Sequence, residues 1–116
     1  MTKTETPRKV QLTEPYVYVL VRTDLPLPQQ AVQATHAAMI SARKLFPEQL
    51  TFTPNLVLCQ LPDGESLQTA HETLVRQRVP CVPYFEPDYG NAMTAIATGP
   101  LVGEQRKLLK GYKLLK

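Results

Sequence analysis

Gln29, Gln33 and His36 recur at intervals of four and three residues, the spacing that sets side chains on one helix face. Two amides can hold a carbonyl or a hydroxyl by hydrogen bonds, and an imidazole exchanges a proton near neutral pH. The same stripe also suits a structural part, with His36 bonded to a neighbouring strand. A second group is Glu86-Pro-Asp-Tyr-Gly-Asn91. It brings the carboxylates of Glu86 and Asp88 near the amide of Asn91, and a carboxylate can orient or deprotonate water. Pro87, Asp88, Gly90 and Asn91 are equally ordinary turn formers. The third group, Arg22-Thr23-Asp24, directly follows an apolar run. Arg22 and Asp24 could meet a polar ligand there, or Asp24 could cap the next segment.

These groups need elements to position them. Tyr16-Val-Tyr-Val-Leu-Val21 is β-branched and aromatic, which predicts a strand, and its near-continuous apolar character predicts a central one covered on both faces. Pro28 suits the first turn of a helix running to about Phe46. Ala31, Val32, Ala34, Ala38, Ile40, Ala42 and Leu45 would give that helix its apolar face. Leu56 to Leu61 reads as a second strand. Asp63 is a good N-cap for a helix from about Gly64 to Gln77, in which Leu67, Ala70, Leu74 and Val75 recur at helical spacing. Cys81 to Phe85 reads as a short strand, and Pro80 and Pro83 place it at an edge. Met93 to Thr98 is the last strand, stopped by Gly99-Pro100, with a short helix after it. The order β-α-β-α-β-β-α predicts an α/β domain with a mixed four-stranded sheet. Parallel pairing is expected in its first βαβ steps and an antiparallel hairpin at its end. Ligands of open α/β sheets gather at the carboxyl ends of strands, which is where Arg22 and the Gln29–His36 stripe would lie.

Composition bounds the rest. With 116 residues, 43% apolar and 20% charged, the chain suits one globular domain with its own core. Residues 14–116 would form it, behind a polar, flexible lead-in at 1–13. No apolar run approaches the roughly 20 residues of a membrane span, and the first residues lack the apolar stretch of a secretory signal. The expectation is a cytoplasmic protein that engages no membrane. Cys59 and Cys81 lie in apolar strands without CxxC spacing and read as free buried thiols. His36 and His71 are too far apart for a metal pair. There is no GxGxxG or P-loop, no GxSxG elbow and no aromatic-rich RNA-binding signature. The net charge of +3 is mild, but Arg106, Lys107, Lys110, Lys113 and Lys116 crowd the end of the chain. Such a tail can neutralise phosphates or can simply be a solvated terminus.

Taken together, Val19-Leu-Val-Arg-Thr-Asp-Leu25 followed by Gln33-Ala-Thr-His-Ala37 resembles the opening of type 2 peptidyl-tRNA hydrolases. Those proteins have a strand ending V-R-x-D-L and a helix carrying A-x-Q-x-x-H-A. Thr94-Ala-Ile-Ala-Thr-Gly-Pro100 is similar to their T-x-L-A-I-G-P ending. The basic stretch to Leu115 is similar to their C-terminal segment. The motifs are short, but their order and spacing cover about residues 16–115. The resemblance implies a mixed four-stranded sheet with helices on both faces, no metal or organic cofactor, and hydrolysis of the ester joining a peptide to the 3′ end of tRNA. By that resemblance Gln29, Gln33, His36 and Glu86 or Asp88 would form the catalytic set. Arg22, Asp24, Asn91, Thr94, Lys107, Lys110 and Lys113 would hold the tRNA, and a homodimer is one arrangement left open.

The chain also departs from that pattern. The family's G-K before A-x-Q is Pro28-Gln29 here, which exchanges a positive charge for a neutral dipole. The loop after Asp24 is about two residues shorter. The acidic residue of the family's D-A-G-x-T segment corresponds to Glu86 or Asp88, and the threonine of that segment has no counterpart. A homologue that keeps the fold without the reaction, binding tRNA-like ligands or a protein partner, is the alternative.

Overall fold

The computed structural model describes residues 14–116, and the lead-in at 1–13 lies outside them. β1 (Tyr16–Arg22) is the middle strand of a five-stranded sheet ordered β3-β4-β1-β2-β5. Alternation along β1 sends its side chains to opposite faces. Val17, Val19 and Val21 meet Ala34 and Ala37 of α1 (Leu27–Leu45), together with Ala95 and Ala97. Tyr18 and Leu20 face Leu67, Ala70 and Leu74 of α2 (Gly64–Arg76). One helix therefore covers each face, which is why β1 is apolar along its whole length.

β2 (Asn55–Leu61) runs parallel to β1, as a βαβ step requires. β3 (Cys81–Glu86) is the expected edge strand and forms an antiparallel pair with β4 (Ala92–Thr98). β4 is antiparallel to β1 as well. β3 thus runs in the direction of β1 and β2, but it is separated from them by β4 rather than paired with them. The second crossover has carried the chain past two strands.

The sheet has five strands rather than the four expected. After a single turn, α3 (Glu104–Lys107), the chain returns as β5 (Lys113–Leu114), antiparallel to β2. Two residues in a basic stretch carry no alternation to reveal them. Their work is on the backbone: they cover part of the outer edge of β2, which would otherwise present unpaired groups.

The buried stripe of α1 differs from the apolar face expected. It consists of Gln30, Gln33, Ala34, Ala37 and Ser41, whereas Ala31, Val32 and Ala42 are exposed. The cause is that each polar member finds a partner, so burial carries no penalty. Ser41 Oγ donates to the carbonyl of Thr98 at 2.7 Å, and Gln30 Nε2 donates to the carbonyls of Thr23 and Leu25. Helix and sheet also approach closely, since a Cβ on Gly99 would lie 3.2 Å from that of Leu45. Ser41→Ala should cost about 1–2 kcal/mol in denaturant unfolding, the worth of a buried hydrogen bond with its acceptor left behind.

On the other face, Asp63 caps α2 as expected, accepting from the Ser66 N–H at 2.8 Å. Val75 is exposed and lies outside the core. Both cysteines are free, Cys59 buried and Cys81 half-buried, and burial pushes both thiols up in pKa, away from the reactive thiolate. No helix among the described residues is long and apolar enough to cross a membrane.

Candidate active site

Gln33 is completely buried, and it is the hub of a polar cluster between α1 and the β3–β4 hairpin. Its Nε2 donates to Glu86 Oε1 at 2.8 Å and to Gln29 Oε1 at 3.3 Å. Its Oε1 accepts from Thr94 Oγ1 at 2.6 Å. The orientation of the amide follows from chemistry. An ionised carboxylate only accepts, so nitrogen must face Glu86 and oxygen must face the hydroxyl. Gln29 is then oriented in turn: its oxygen is engaged inward, which leaves its –NH2 as the donor end toward a ligand.

Three local features aim these groups at one point. Tyr84 and Glu86 alternate on β3 and so share the α1 face. Glu86, at the end of β3, is only 8% exposed, and its second oxygen accepts from the Asp88 N–H at 3.1 Å. The third feature is a β-bulge. Tyr84 pairs with Ala95 but Phe85 pairs with Met93, so Thr94 is the extra residue on β4. Unbroken alternation would have placed Thr94 on the α2 face beside Ile96. The bulge turns it to the α1 face and onto Gln33.

The electrostatics favour an ionised Glu86. The Gln33 amide, then the Asp88 N–H, hold its carboxyl below the usual glutamate range; desolvation opposes them, and the charge of His36 assists. Each Glu86 oxygen accepts one of these hydrogen bonds, and a carboxylate oxygen has a second lone pair. His36 lies flat on Tyr84, ring centroids 4.6 Å apart and planes 16° from parallel. It walls the cluster rather than joining its hydrogen bonds.

Of the expected site residues, Gln29, Gln33, His36, Glu86 and Thr94 are brought together. Between the two acidic candidates the geometry selects Glu86, because the side chain of Asp88 is exposed and only its backbone N–H takes part. Asn91 serves the turn. It follows Gly90 with both at positive φ (63° and 65°), and its N–H returns to the Glu86 carbonyl. Arg22 and Asp24 hold each other in a two-pronged ion pair, both contacts 2.7 Å, and Arg22 Nη1 donates to the Met93 carbonyl at 3.2 Å. Asp24 caps nothing, since the N-cap of α1 is Pro26 and the helix has no side-chain cap. By alternation Arg22 points to the α2 face, against Gly64.

The basic tail lies elsewhere. Arg106 sits 3.5 Å over the ring of Tyr16 and donates to the Tyr18 hydroxyl, which places α3 toward the start of β1, the end opposite Arg22. Lys107 pairs with Glu104, and Lys110 is exposed. Lys113 belongs to β5, on the edge opposite β3, four strand spacings or about 19 Å away. Arg22 is paired with Asp24 and Lys107 with Glu104. Among the described residues no three metal-ligating side chains converge.

Two contributors were not singled out from the sequence. Gln30 is buried and ties down the loop between β1 and α1, and no pattern separates it from its neighbour Gln29. Tyr84 was detectable in principle, two residues before Glu86 on an alternating strand.

No family model and no curated protein matches this chain. Among solved structures it is similar to a protein of unknown function from Agrobacterium tumefaciens str. C58, with a TM-score of 0.63 and 18% identity, covering 89% of this chain and 98% of that one. The likeness is one of fold. It extends over nearly all of both chains, so the helix-covered mixed sheet is a whole unit shared by the two proteins.

Proposed function

We propose that this chain is a peptidyl-tRNA hydrolase-like enzyme, with a type 2 peptidyl-tRNA hydrolase-like fold, that hydrolyses the ester between a peptidyl or N-blocked aminoacyl group and tRNA. The observation that carries the reading is the Thr94–Gln33–Glu86 hydrogen-bond chain. The residues picked out by motif, distant in sequence, meet at the carboxyl end of β3 around one ionised carboxylate. In this reading Glu86 accepts a hydrogen bond from the attacking water and aligns it. Its lowered pKa makes it a weak base, so positioning is its larger contribution. Gln33 fixes the carboxylate, and Thr94 fixes Gln33. The Gln29 –NH2 binds the ester carbonyl oxygen as negative charge grows there. A neutral amide stabilises that charge less than a lysine would, and slow turnover is expected. Lys107, Lys110 and Lys113 are too distant for the ester end and would serve phosphates farther along the tRNA, which position without reading sequence.

A second reading, a non-catalytic tRNA- or protein-binding relative, has one observation in its favour: the group beside Gln33 at the position of the family's lysine is the neutral amide of Gln29. Release of N-acetyl-amino acid from N-acetyl-aminoacyl-tRNA by the purified protein separates the two readings. It should be paired with binding of uncharged tRNA at low and moderate salt. Turnover that depends on Glu86 supports the hydrolase. Binding that weakens with salt, without turnover, makes the protein a tRNA-binding relative. Absence of both rules out tRNA as its ligand.

A further inference from the structure

The other face of the same sheet end holds a cavity of about 500 Å3, within the range of small-molecule sites. Gln68 and His71 of α2 form one wall, and Phe85, Asn91 and Met93 of the β3–β4 hairpin form the other, with Arg22 and Gly64 at the inner end. Phe85 and Glu86 are consecutive in β3, so the cavity and the Glu86 cluster lie back to back at one end of the sheet.

The lining selects a class of ligand. An anion would need a free cation, and Arg22 is not free. Two of its nitrogens are taken by Asp24 and the third by the Met93 carbonyl, while Glu72 adds a negative charge at the rim. Arg22 also packs against Gly64, where an added Cβ would come within 2.6 Å of Nη1. What remains is an aromatic ring 48% exposed, two amide side chains and an imidazole. A ring bearing such a face to water is a stacking platform, and amides pair with the donor–acceptor edge of a heterocycle.

We infer that this cavity is a nucleobase site: an uncharged nucleoside ring stacks on Phe85, with Gln68 and Asn91 hydrogen-bonding its edge. The inference goes beyond the hydrolase reading and, joined to it, assigns the base next to the ester linkage a place on the α2 face. Charge matching at Arg22 predicts that a phosphate adds little, so adenosine and adenosine 5′-monophosphate should bind alike.

The test is titration of the full chain with each compound, followed by NMR. Saturable shifts are expected at Gln68, His71, Phe85 and Asn91. Phe85→Ala, at an exposed position that leaves the core intact, should weaken adenosine about tenfold or more, and Phe85→Tyr should retain it. Gln68→Ala should weaken it less. No saturable binding, binding indifferent to Phe85→Ala, or much tighter salt-sensitive binding of the monophosphate would each overturn the inference. Its fate is separable from that of the hydrolase reading. Binding through Phe85 without ester hydrolysis keeps the base site alone. Hydrolysis with KM unmoved by Phe85→Ala keeps the hydrolase alone.

Discussion

Replacing Glu86 by glutamine is expected to lower ester hydrolysis about 100-fold or more, with circular dichroism unchanged, as befits loss of a carboxylate that holds the nucleophile. Geometry makes this the sharpest substitution. Glutamine keeps the size of Glu86 and can still accept from Gln33 through its oxygen. It loses the charge, and its nitrogen would face the Asp88 N–H, donor against donor. The loop at 87–91 loosens slightly while the core, built on β1 and the two helices, is untouched. The pH dependence follows from the same contacts. Gln33 and the Asp88 N–H hold the Glu86 carboxyl below its usual range, so the acid limb of the rate profile should fall below about pH 4.3, the ordinary glutamate value. The contacts around Glu86 stabilise the fold fully above the unfolded-state pKa. Their contribution is lost as pH falls through the lowered folded-state value. Asp24, held low by Arg22, is lost in the same direction.

Gln33 should show the largest effect on stability. It is fully buried and makes three hydrogen bonds. Gln33→Ala would open a cavity beneath α1 and strand both the Thr94 hydroxyl and the Glu86 carboxylate. A cost of about 2–4 kcal/mol is expected in urea unfolding, with Tm falling by roughly 10 °C. Gln33→Leu fills the space but not the hydrogen bonds. It should recover part of the stability but not the activity, and the Glu86 carboxyl should titrate higher by NMR because the largest cause of its lowered pKa is gone. Equal stability of Gln33→Leu and the wild type would show that the cluster is not a packed, satisfied network. Because truncation here costs stability as well as chemistry, Glu86→Gln is the cleaner probe of function.

Much of the fold was legible because its strong elements obey simple periods. The apolar run of β1, the Asp63 cap and the prolines of β3 each predicted what the structure contains. The misses share a cause: backbone needs and polar burial leave little trace in hydrophobic pattern. β5 exists to cover an edge. The orientation of α1 was set by Gln30, Gln33 and Ser41, residues that look like a solvent face until their partners are known. At the site, helical spacing found Gln29, Gln33 and His36, and turn composition found the Glu86 loop. Neither could choose Glu86 over Asp88, since that depends on which residue ends the alternation of β3. Nor could they foresee that a bulge turns Thr94 inward. The basic tail lies away from the Glu86 cluster, because position in the chain says nothing about nearness in the fold.

The central claim is that the Thr94–Gln33–Glu86 chain is a reaction centre rather than a structural clamp. It is tested most directly by the initial rate of N-acetyl-amino acid release from N-acetyl-aminoacyl-tRNA, with wild type and Glu86→Gln side by side at equal concentration. The account predicts turnover by the wild type and a loss of about 100-fold or more in the variant. Equal rates in the two proteins, or no release above the uncatalysed background by either, would contradict it.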